Sequence, residues 1–303
     1  MNGVLLLNKP RGMTSHDCVM EIRRLLQIKK VGHTGTLDPD VDGVLPICVG
    51  SATKLVQFLT AETKEYIGEV TVGYSTTTED ASGEIVEQRT ICQVISQVEI
   101  AQVLQSMLGT SIQMPPMYSA VKVQGKKLYE YARAGINLKR PKRKVTIYKL
   151  EQLGDVHQKN GRLTFKFRIH GSKGIFIRTV AVMIGEKLGQ LMGEPLGYPA
   201  HMSDLTRIAS GHFKLENCVT FADIEVGNFK LLTISEALAD FPTVAVDNWV
   251  EKLVRNGVKL RAEQITPPMK RGQFLIKDKA GSPLSIYKWD ENYQGYISVR
   301  GLW

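Results

Sequence analysis

The sequence predicts an α+β protein that carries a small β module at its C-terminal end. Segment Leu163–Ile169 alternates apolar and polar residues, as a half-buried strand does. Segment Ile177–Leu191 instead places its apolar residues on one face at helical spacing. Beyond residue 240, short strand-like stretches alternate with Gly, Pro, Asp and Asn turn residues. We therefore predict a domain boundary there, which divides the chain into a large domain, 1–239, and a β-barrel-like module, 240–303.

The first elements of the large domain follow from short local patterns. The apolar run Val4–Asn8 leads into a Lys-Pro-x-Gly turn and predicts a buried strand. A helix is predicted after this turn, because Thr14 or Ser15 can cap it and apolar residues then recur on one face. This periodicity ends near Lys29, where we expect the helix to stop.

Two further segments of the large domain have clear local signals. Segment 64–76 is rich in Thr, Val and Tyr and predicts a strand, although Gly68 and Gly73 interrupt the pattern. Segment 96–108 predicts a helix, because a Ser-x-x-Glu capping box opens it and an apolar face follows.

The composition is that of a globular protein without a membrane span. The chain has 303 residues, of which 43% are hydrophobic and 23% charged, and no run approaches the roughly 20 apolar residues of a membrane helix. The apolar run Val4–Leu7 is too short for a signal peptide, so we expect a cytosolic protein. The cysteines form no Cys-x-x-Cys pair, which argues against a zinc ribbon. We expect reduced, mostly buried thiols at Cys18, Cys48, Cys92 and Cys218.

The distribution of positive charge favours an anionic partner. The formal net charge is +9, and between Lys122 and Lys144 nine basic residues face a single acid, Glu130. A solvated surface is the ordinary explanation of such a run. Aromatic residues next to cations are, however, suited to stacking on bases beside phosphate contacts. Nucleic-acid binding is therefore favoured by the interleaved tyrosines, Tyr118, Tyr129 and Tyr131.

The stretch 32–43, Gly-His-Thr-Gly-Thr-Leu-Asp-Pro-Asp-Val-Asp-Gly, has the densest functional pattern in the chain. Its three alternate aspartates followed by glycine match the opening of a calcium loop. Val49 stands where such a loop needs a bidentate Glu, so we disfavour calcium binding.

Asp38 within this stretch has two interpretations. It precedes Pro39, which keeps its backbone extended, so its carboxylate can project from the glycine-rich loop as a reactive group. An Asp-Pro pair between glycines is also a common turn. The chain lacks the P-loop, dinucleotide-binding, His-Glu-x-x-His and Gly-x-Ser-x-Gly motifs. Carboxylate chemistry without a cofactor remains.

Several separated blocks of the chain resemble the TruB-type tRNA pseudouridine synthases of bacteria. The blocks agree with that family in order and spacing over most of the large domain, whereas the C-terminal module resembles the family's PUA-like RNA-binding domain more weakly. The matching blocks are Gly3–Pro10 with Gly12, Gly32–Pro46, Lys64–Tyr66, Pro116–Arg133, Ser172–Thr179 and Ala200–Leu205. The resemblance implies the pseudouridine-synthase fold, with a central mixed, largely antiparallel sheet flanked by helices.

The resemblance also implies a reaction, the isomerisation of uridine 55 in the T-loop of tRNA to pseudouridine. Asp38 then becomes the catalytic aspartate, Arg178 its partner, and Tyr66 the residue that stacks on uracil and can accept the C5 proton. No oxidation, hydrolysis or cofactor is needed. Three routes stay open for the carboxylate: attack at C1′, addition at C6, or proton abstraction from C2′.

Further residues take roles from the same resemblance. The target base must be flipped out of the T-loop, and His33 is expected to occupy the gap that it leaves. Phe176 and Leu205 are expected to contact the base. Lys9 is expected to support the active-site loop or to bind the substrate. Lys126 and Lys127 are expected to contact phosphates of the T-arm. We expect a monomer that uses no nucleotide cofactor and contacts no membrane. The competing interpretation is a non-catalytic RNA-binding or tRNA-folding protein.

Overall fold

The computed structural model describes residues 1–136 and 138–302. Within these residues the chain forms strands throughout its length. In chain order they are β1 (Gly3–Lys9), β2 (Val31–His33), β3 (Asp42–Val49), β4 (Lys64–Val72), β5 (Tyr74–Thr76), β6 (Ile85–Gln88), β7 (Gly109–Gln113), β8 (Lys122–Val123), β9 (Lys126–Lys127), β10 (Arg143–Lys159), β11 (Arg162–Gly171), β12 (Ala200–Ser210), β13 (Phe213–Lys214), β14 (Thr243–Ala245), β15 (Leu260–Arg261), β16 (Gln273–Lys277), β17 (Pro283–Asp290) and β18 (Gly295–Gly301).

Helices alternate with these strands. The α-helices are α1 (Ser15–Leu26), α2 (Val56–Thr60), α3 (Gln97–Ser106), α4 (Leu128–Arg133), α5 (Ile177–Leu191), α6 (Phe221–Glu225), α7 (Ile234–Ala237) and α8 (Asn248–Arg255). Short 3₁₀ helices span Gly50–Leu55, Leu215–Asn217 and Ala262–Gln264. None of the helices in the described ranges is long and apolar enough to cross a membrane.

A nine-stranded sheet organises the first 240 residues. Its main path is β1-β3-β12-β4-β11-β10-β7, with β2 paired to β3 and β13 paired to β12. The β3–β12 pair is parallel and every other pair in this sheet is antiparallel. The expected mixed, largely antiparallel sheet flanked by helices is therefore confirmed.

Local sequence patterns predicted most elements of the large domain correctly. The alternating segment Leu163–Ile169 lies in β11 with its apolar residues buried, and α5 spans Ile177–Leu191 as predicted. Thr14 caps α1 through a capping box with Asp17. The predicted Ser-x-x-Glu box opens α3.

Three expectations need correction. Helix α1 ends at Leu26 rather than near Lys29, because Gln27 adopts a left-handed conformation with φ of 53° and its N–H bonds back into the helix. The strand predicted over 64–76 is divided into β4 and β5 at Gly73, whose φ is +119°. The thiols are all free, but burial holds only for Cys18 and Cys48, since Cys218 is half-buried and Cys92 exposed.

Gly43 allows the two strands beneath the glycine-rich loop to approach each other. It pairs with Arg207 across the parallel β3–β12 contact, and its φ is +107°. A Cβ atom at this position would lie 2.2 Å from the carbonyl oxygen of Arg207, so a side chain cannot be accommodated without separating the strands. The Asp-Gly that ends the 32–43 stretch therefore has a packing role.

The core lies mainly between the central strands and the helices. Helices α3 and α5 pack on β10, β4 and β12, and Phe165, Phe167, Ile184 and Leu188 are almost fully buried in this layer. Burying a side chain of this size contributes roughly 1.5–3 kcal/mol. A second apolar cluster joins α1 to β1 and β3.

Residues after 240 form a separate five-stranded sheet in the order β14-β16-β17-β18-β15. It has its own apolar cluster, which includes Phe274, Tyr287 and Tyr296. Leu275 and Ile286 pack instead in a cluster with residues of β1 and α2. The C-terminal module therefore has a core of its own and shares another with the rest of the chain. The domain boundary between 239 and 240 stays a prediction.

Candidate active site

Asp38 lies on a loop between β2 and β3 that is fixed on both sides. The flanking residues Leu37 and Val41 are buried in the core. Ser15 Oγ accepts a hydrogen bond from the N–H of Leu37 at 2.8 Å and donates one to its carbonyl at 3.2 Å. The N–H of Val41 donates to the carbonyl of Asp38 at 3.1 Å. Because its backbone is held in this way, the Asp38 carboxylate has a defined position.

Lys9 supports this loop from below. Its side chain is fully buried, and its ammonium group donates to the carbonyls of Pro10 at 2.8 Å, Pro39 at 3.0 Å and Val41 at 2.8 Å. Burial lowers the pKa of this amine, against the raising effect of Cys18 and nearby aspartates. Of its two predicted roles, these bonds favour support of the loop, and contact with the substrate stays a prediction.

We expect Lys9→Met to destabilise the protein by about 3 kcal/mol, because three backbone carbonyls, one of them buried, lose a charged donor. The rate should also fall, since the loop that carries Asp38 loses its support. Urea denaturation followed by circular dichroism measures the first effect, with Lys29→Met, at an exposed lysine, as the control. Equal unfolding midpoints for the two variants would contradict this role of Lys9.

Arg178 holds the Asp38 carboxylate from the start of α5. The Arg178 side chain is only 6% exposed, and its Nη2 lies 3.0 Å from Asp38 Oδ2. Nη1 lies 3.5 Å from Asp80 Oδ2. The guanidinium also donates to the carbonyls of Thr78 at 2.9 Å and Tyr118 at 2.8 Å. This planar group therefore joins two carboxylates and two separate backbone segments.

Asp80 is held as firmly as Asp38. Its Oδ1 accepts hydrogen bonds from Thr78 Oγ1 at 2.6 Å, from the N–H of Ser82 at 3.0 Å and from Ser82 Oγ at 2.5 Å. This leaves Oδ2 for Arg178. The sequence analysis missed Asp80, because a Thr-Glu-Asp-Ala-Ser-Gly turn is an unremarkable surface pattern until the fold brings it to α5.

The pKa of Asp38 is raised above its ordinary value. Burial in the cleft raises it most, the Arg178 guanidinium lowers it, and the charge of Asp80 raises it again. The Asp38 side chain keeps 42% of its surface accessible, so the carboxylate remains open to an incoming molecule. A less hydrated carboxylate is a stronger base and nucleophile than one in bulk water.

A cleft of about 320 Å³ opens beside Asp38. Tyr66, on β4, and Phe176, at the N-terminal end of α5, line it together with Leu205 of β12 and the Asp38–Arg178 pair. Tyr66 and Leu205 are buried. The structure therefore brings five of the predicted site residues into one cavity from four separated parts of the chain.

The backbone of Phe176 is fixed by a buried amide. Gln113 Oε1 accepts from the N–H of Phe176 at 2.8 Å, and Gln113 Nε2 donates to its carbonyl at 3.0 Å. Gln113 is the last residue of the edge strand β7. This pair of hydrogen bonds sets where α5 begins, and so sets the position of Arg178 two residues later.

His33, Lys126 and Lys127 do not line the cleft. His33 Nδ1 accepts from the N–H of Gly35 at 3.4 Å, and burial lowers the pKa of its imidazole. Lys126 is exposed on the β8–β9 hairpin. Lys127 lies 5.3 Å from the centre of the Tyr129 ring. These three residues are close in sequence to residues that line the cleft, but they do not line it themselves.

The basic segment joins the cleft at its beginning. Ala120 and Val121 line the cavity, and the carbonyl of Tyr118 binds Arg178. The segment then continues through the β8–β9 hairpin and α4 to Arg143, which also lines the cavity. Residue 137, inside this segment, lies outside the described residues. The basic segment therefore leaves the cleft after Val121 and returns to it at Arg143.

The structure adds two buried cations that the sequence did not indicate. Lys64 and Arg207 line the cleft although they are almost fully buried. Within residues 1–136 and 138–302, no cluster of three or more His, Cys, Asp and Glu side chains is arranged to hold a metal ion. Two aspartates of the 32–43 stretch have other partners: Asp38 pairs with Arg178, and Asp42 accepts from Thr206 Oγ1 at 2.6 Å.

The fold is shared with solved structures of pseudouridine synthases. A chain in a Cbf5–Nop10–Gar1 complex aligns with a TM-score of 0.68 and 25% identity, over 99% of this chain and 82% of that one. A chain of an H/ACA ribonucleoprotein bound to a substrate RNA containing 2′-deoxyuridine aligns with a TM-score of 0.68 and 23% identity, over 99% of this chain and 85% of that one. This shared fold, together with a match of residues 23–177 to pseudouridylate synthases, places the chain in the class of the pseudouridine synthases.

Sequence similarity identifies the family within this class. Residues 23–177 match the N-terminal domain of the TruB family of pseudouridylate synthases. The tRNA pseudouridine synthase B of Bacillus cytotoxicus is 54% identical over 305 residues, 98% of this chain and 95% of that protein. The tRNA pseudouridine synthase B of Halalkalibacterium halodurans is 50% identical over 303 residues, which cover 98% of this chain and 96% of that protein. The chain belongs to the TruB family of pseudouridylate synthases.

Proposed function

We propose that this protein converts uridine 55 in the T-loop of tRNA to pseudouridine, without a cofactor, in the cytoplasm and as a monomer. The observation that carries the proposal is the Asp38 carboxylate, paired with the buried Arg178 at 3.0 Å and open to a cleft with aromatic walls. Similarity to tRNA pseudouridine synthases B over 98% of the chain supports the choice of substrate.

The residues of the cleft take separate roles in this reaction. Asp38 starts it by one of three routes, attack at C1′, addition at C6 or proton abstraction from C2′, and Arg178 keeps it ionised and oriented. Tyr66 and Phe176 enclose the flipped uracil, and Tyr66 accepts the C5 proton after C5 has bonded to C1′. Leu205 meets the edge of the base, and His33 occupies the gap left in the T-loop.

Release of tritium from C5 tests this function. A T-arm transcript labelled at C5 of its uridines should release tritium to water with the protein, because the new C5–C1′ bond displaces that hydrogen. The matched control carries cytidine at position 55 and labelled uridines elsewhere, and should release none. Tight binding of the first transcript without release would instead indicate the non-catalytic RNA-binding protein.

We expect Lys126→Gln/Lys127→Gln to weaken T-arm binding more than it slows saturated turnover. Both lysines lie outside the cleft, and phosphate contacts release counterions. A plot of log affinity against log salt concentration has a negative slope, and its magnitude should therefore decrease by roughly 1 to 2. Filter binding at several salt concentrations measures it, and Lys29→Gln/Lys30→Gln, an exposed pair, is the control. An unchanged slope would remove these lysines from the interface.

A further inference from the structure

The cleft contains two buried cations that have no carboxylate partner. Lys64 is 6% and Arg207 1% exposed, and neither forms an ion pair with any described residue. Arg178, the other buried arginine of the cleft, lies instead between two carboxylates. Buried charges are normally paired, because removing them from water is unfavourable. An uncompensated pair in a substrate cleft indicates that the substrate supplies the negative charge.

The two cations lie close together on the same side of the loop. A Cβ atom built at Gly35 would lie 3.7 Å from Arg207 Nη1 and 3.9 Å from Lys64 Cε. Arg207 donates to the carbonyls of Val44 at 2.7 Å and Gly35 at 3.3 Å. Its Nε and Nη2 atoms are thus bonded to backbone carbonyls, which hold the guanidinium in place.

Lys64 keeps a donor for a ligand. Its ammonium group donates to the carbonyls of Thr60 at 2.9 Å and Glu62 at 2.7 Å, and its third N–H has no partner among the described residues. Lys64 lies two residues before Tyr66 on β4, so both side chains project from the same face of the strand. Lys64 and Tyr66 both line the cleft, so this donor is available to a molecule bound there.

We propose that Lys64 stabilises the negative charge that develops on the uracil ring when its bond to the sugar breaks. The inference rests on the proposed function. When the N1–C1′ bond breaks, its electron pair stays with the base, and the charge spreads over N1 and the two carbonyl oxygens. The pair returns when C5 bonds to C1′, after which C5 loses its proton and N1 gains one. Lys64 donates a hydrogen bond throughout and transfers no proton.

A phosphate of the flipped nucleotide is the other possible anion. The depth of Lys64 favours the base, because a cation that is 6% exposed at the ring of Tyr66 lies where the uracil stacks. The sugar–phosphate chain has to leave the cleft toward the rest of the RNA. Arg143 lines the cavity too and is only half-buried, so it is better placed for a phosphate.

Burial and the neighbouring Arg207 lower the pKa of Lys64 to about 8. Glu62 acts in the opposite direction and Lys173 in the same one as Arg207. On its own strand, Tyr66 is the titratable group on the same face, and Glu65 lies on the other face. Only the protonated amine can stabilise an anion. The reaction rate should therefore fall as the pH rises through about 8.

Single-turnover tritium release with saturating protein, together with filter binding, tests the proposal on the full chain. We expect Lys64→Met to lower the rate constant about 100-fold, the effect of losing one donor to a developing anion, and to change T-arm affinity less than threefold. Lys64→Arg should recover most of the rate and lose the decline above pH 8, because a guanidinium stays charged. Lys166→Met, at an exposed lysine of β11 outside the cleft, is the control and should behave as the native chain does.

Each other result overturns the proposal. Weaker binding with an unchanged rate constant would assign Lys64 to a phosphate. An unchanged rate and affinity would exclude contact with the substrate. A rate loss that Lys64→Arg does not recover, with a native pH profile and a lower melting temperature, would make Lys64 a support of residues 60–62. Because the native chain is measured in the same assay, failure of the proposed function is seen separately, as no release at any pH.

Discussion

Asp38→Asn should reduce tritium release by on the order of 10⁴-fold or more, while T-arm affinity stays close to that of the native chain. The substitution keeps the shape of the side chain and removes the only charge that any of the three routes can use as nucleophile or base. Losing an enzyme's nucleophile alone typically removes most of its catalysis. The loop should not move, because its contacts to Lys9 and Ser15 are made by backbone carbonyls and an N–H.

Asp40→Asn is the matched control for this prediction. Asp40 is exposed two residues further along the same loop, and its substitution should leave the rate unchanged. Turnover by Asp38→Asn within tenfold of the native rate would show that another group performs the chemistry. Loss of RNA binding in parallel with turnover would show a structural effect instead.

The same substitution has an expected effect on stability. The folded protein raises the pKa of Asp38, so the folded state binds its proton more tightly than the unfolded state does. Stability therefore falls as the pH rises from the unfolded pKa through the folded one, and the ionised carboxylate disfavours the fold above that range. At neutral pH, Asp38→Asn should have a melting temperature equal to or above that of the native chain.

Arg178→Met should reduce turnover on the order of 10³-fold and also destabilise the protein. It leaves the carboxylates of Asp38 and Asp80 near each other without a cation, and two backbone carbonyls without a donor. Removing one partner of a buried pair costs about 3–5 kcal/mol. We expect about 2–4 kcal/mol here, because Asp38 is 42% exposed and water partly solvates its charge.

The pH profile separates the chemical effect of Arg178 from the structural one. Since Arg178 lowers the pKa of Asp38, its loss should move the acidic limb of the rate profile to higher pH. Arg168→Met is the control. Arg168 also pairs with a carboxylate, that of Glu65 at 2.6 Å, but its side chain is 40% exposed. That variant should lose at most about 1 kcal/mol and no activity. An acidic limb that stays in place would contradict the pairing role of Arg178.

Local patterns in the sequence were sufficient for the elements that carry the site. The alternation in β11, the helical face of α5 and the capping boxes of α1 and α3 depend on residues within a few positions of each other. These are the distances over which backbone geometry and side-chain capping act. The same holds for the glycine-rich loop, where Asp38 stands out by its neighbours. The roles of Arg178 and Tyr66 came from family resemblance, which records long-range contacts that no local pattern contains.

The sequence by itself determined the fold class and the main helices and strands, and its resemblance to a family singled out Asp38. Only the tertiary structure decided which charges are buried and which of them meet. No local pattern marks Lys9, Lys64 and Arg207 as buried cations, or Asp80 as more than a turn residue. These side chains are covered by strands and helices that lie far from them in the sequence. Electrostatic strength is set by this exclusion of water, so the chemistry of the cleft emerges only when the sheet and α5 have packed together.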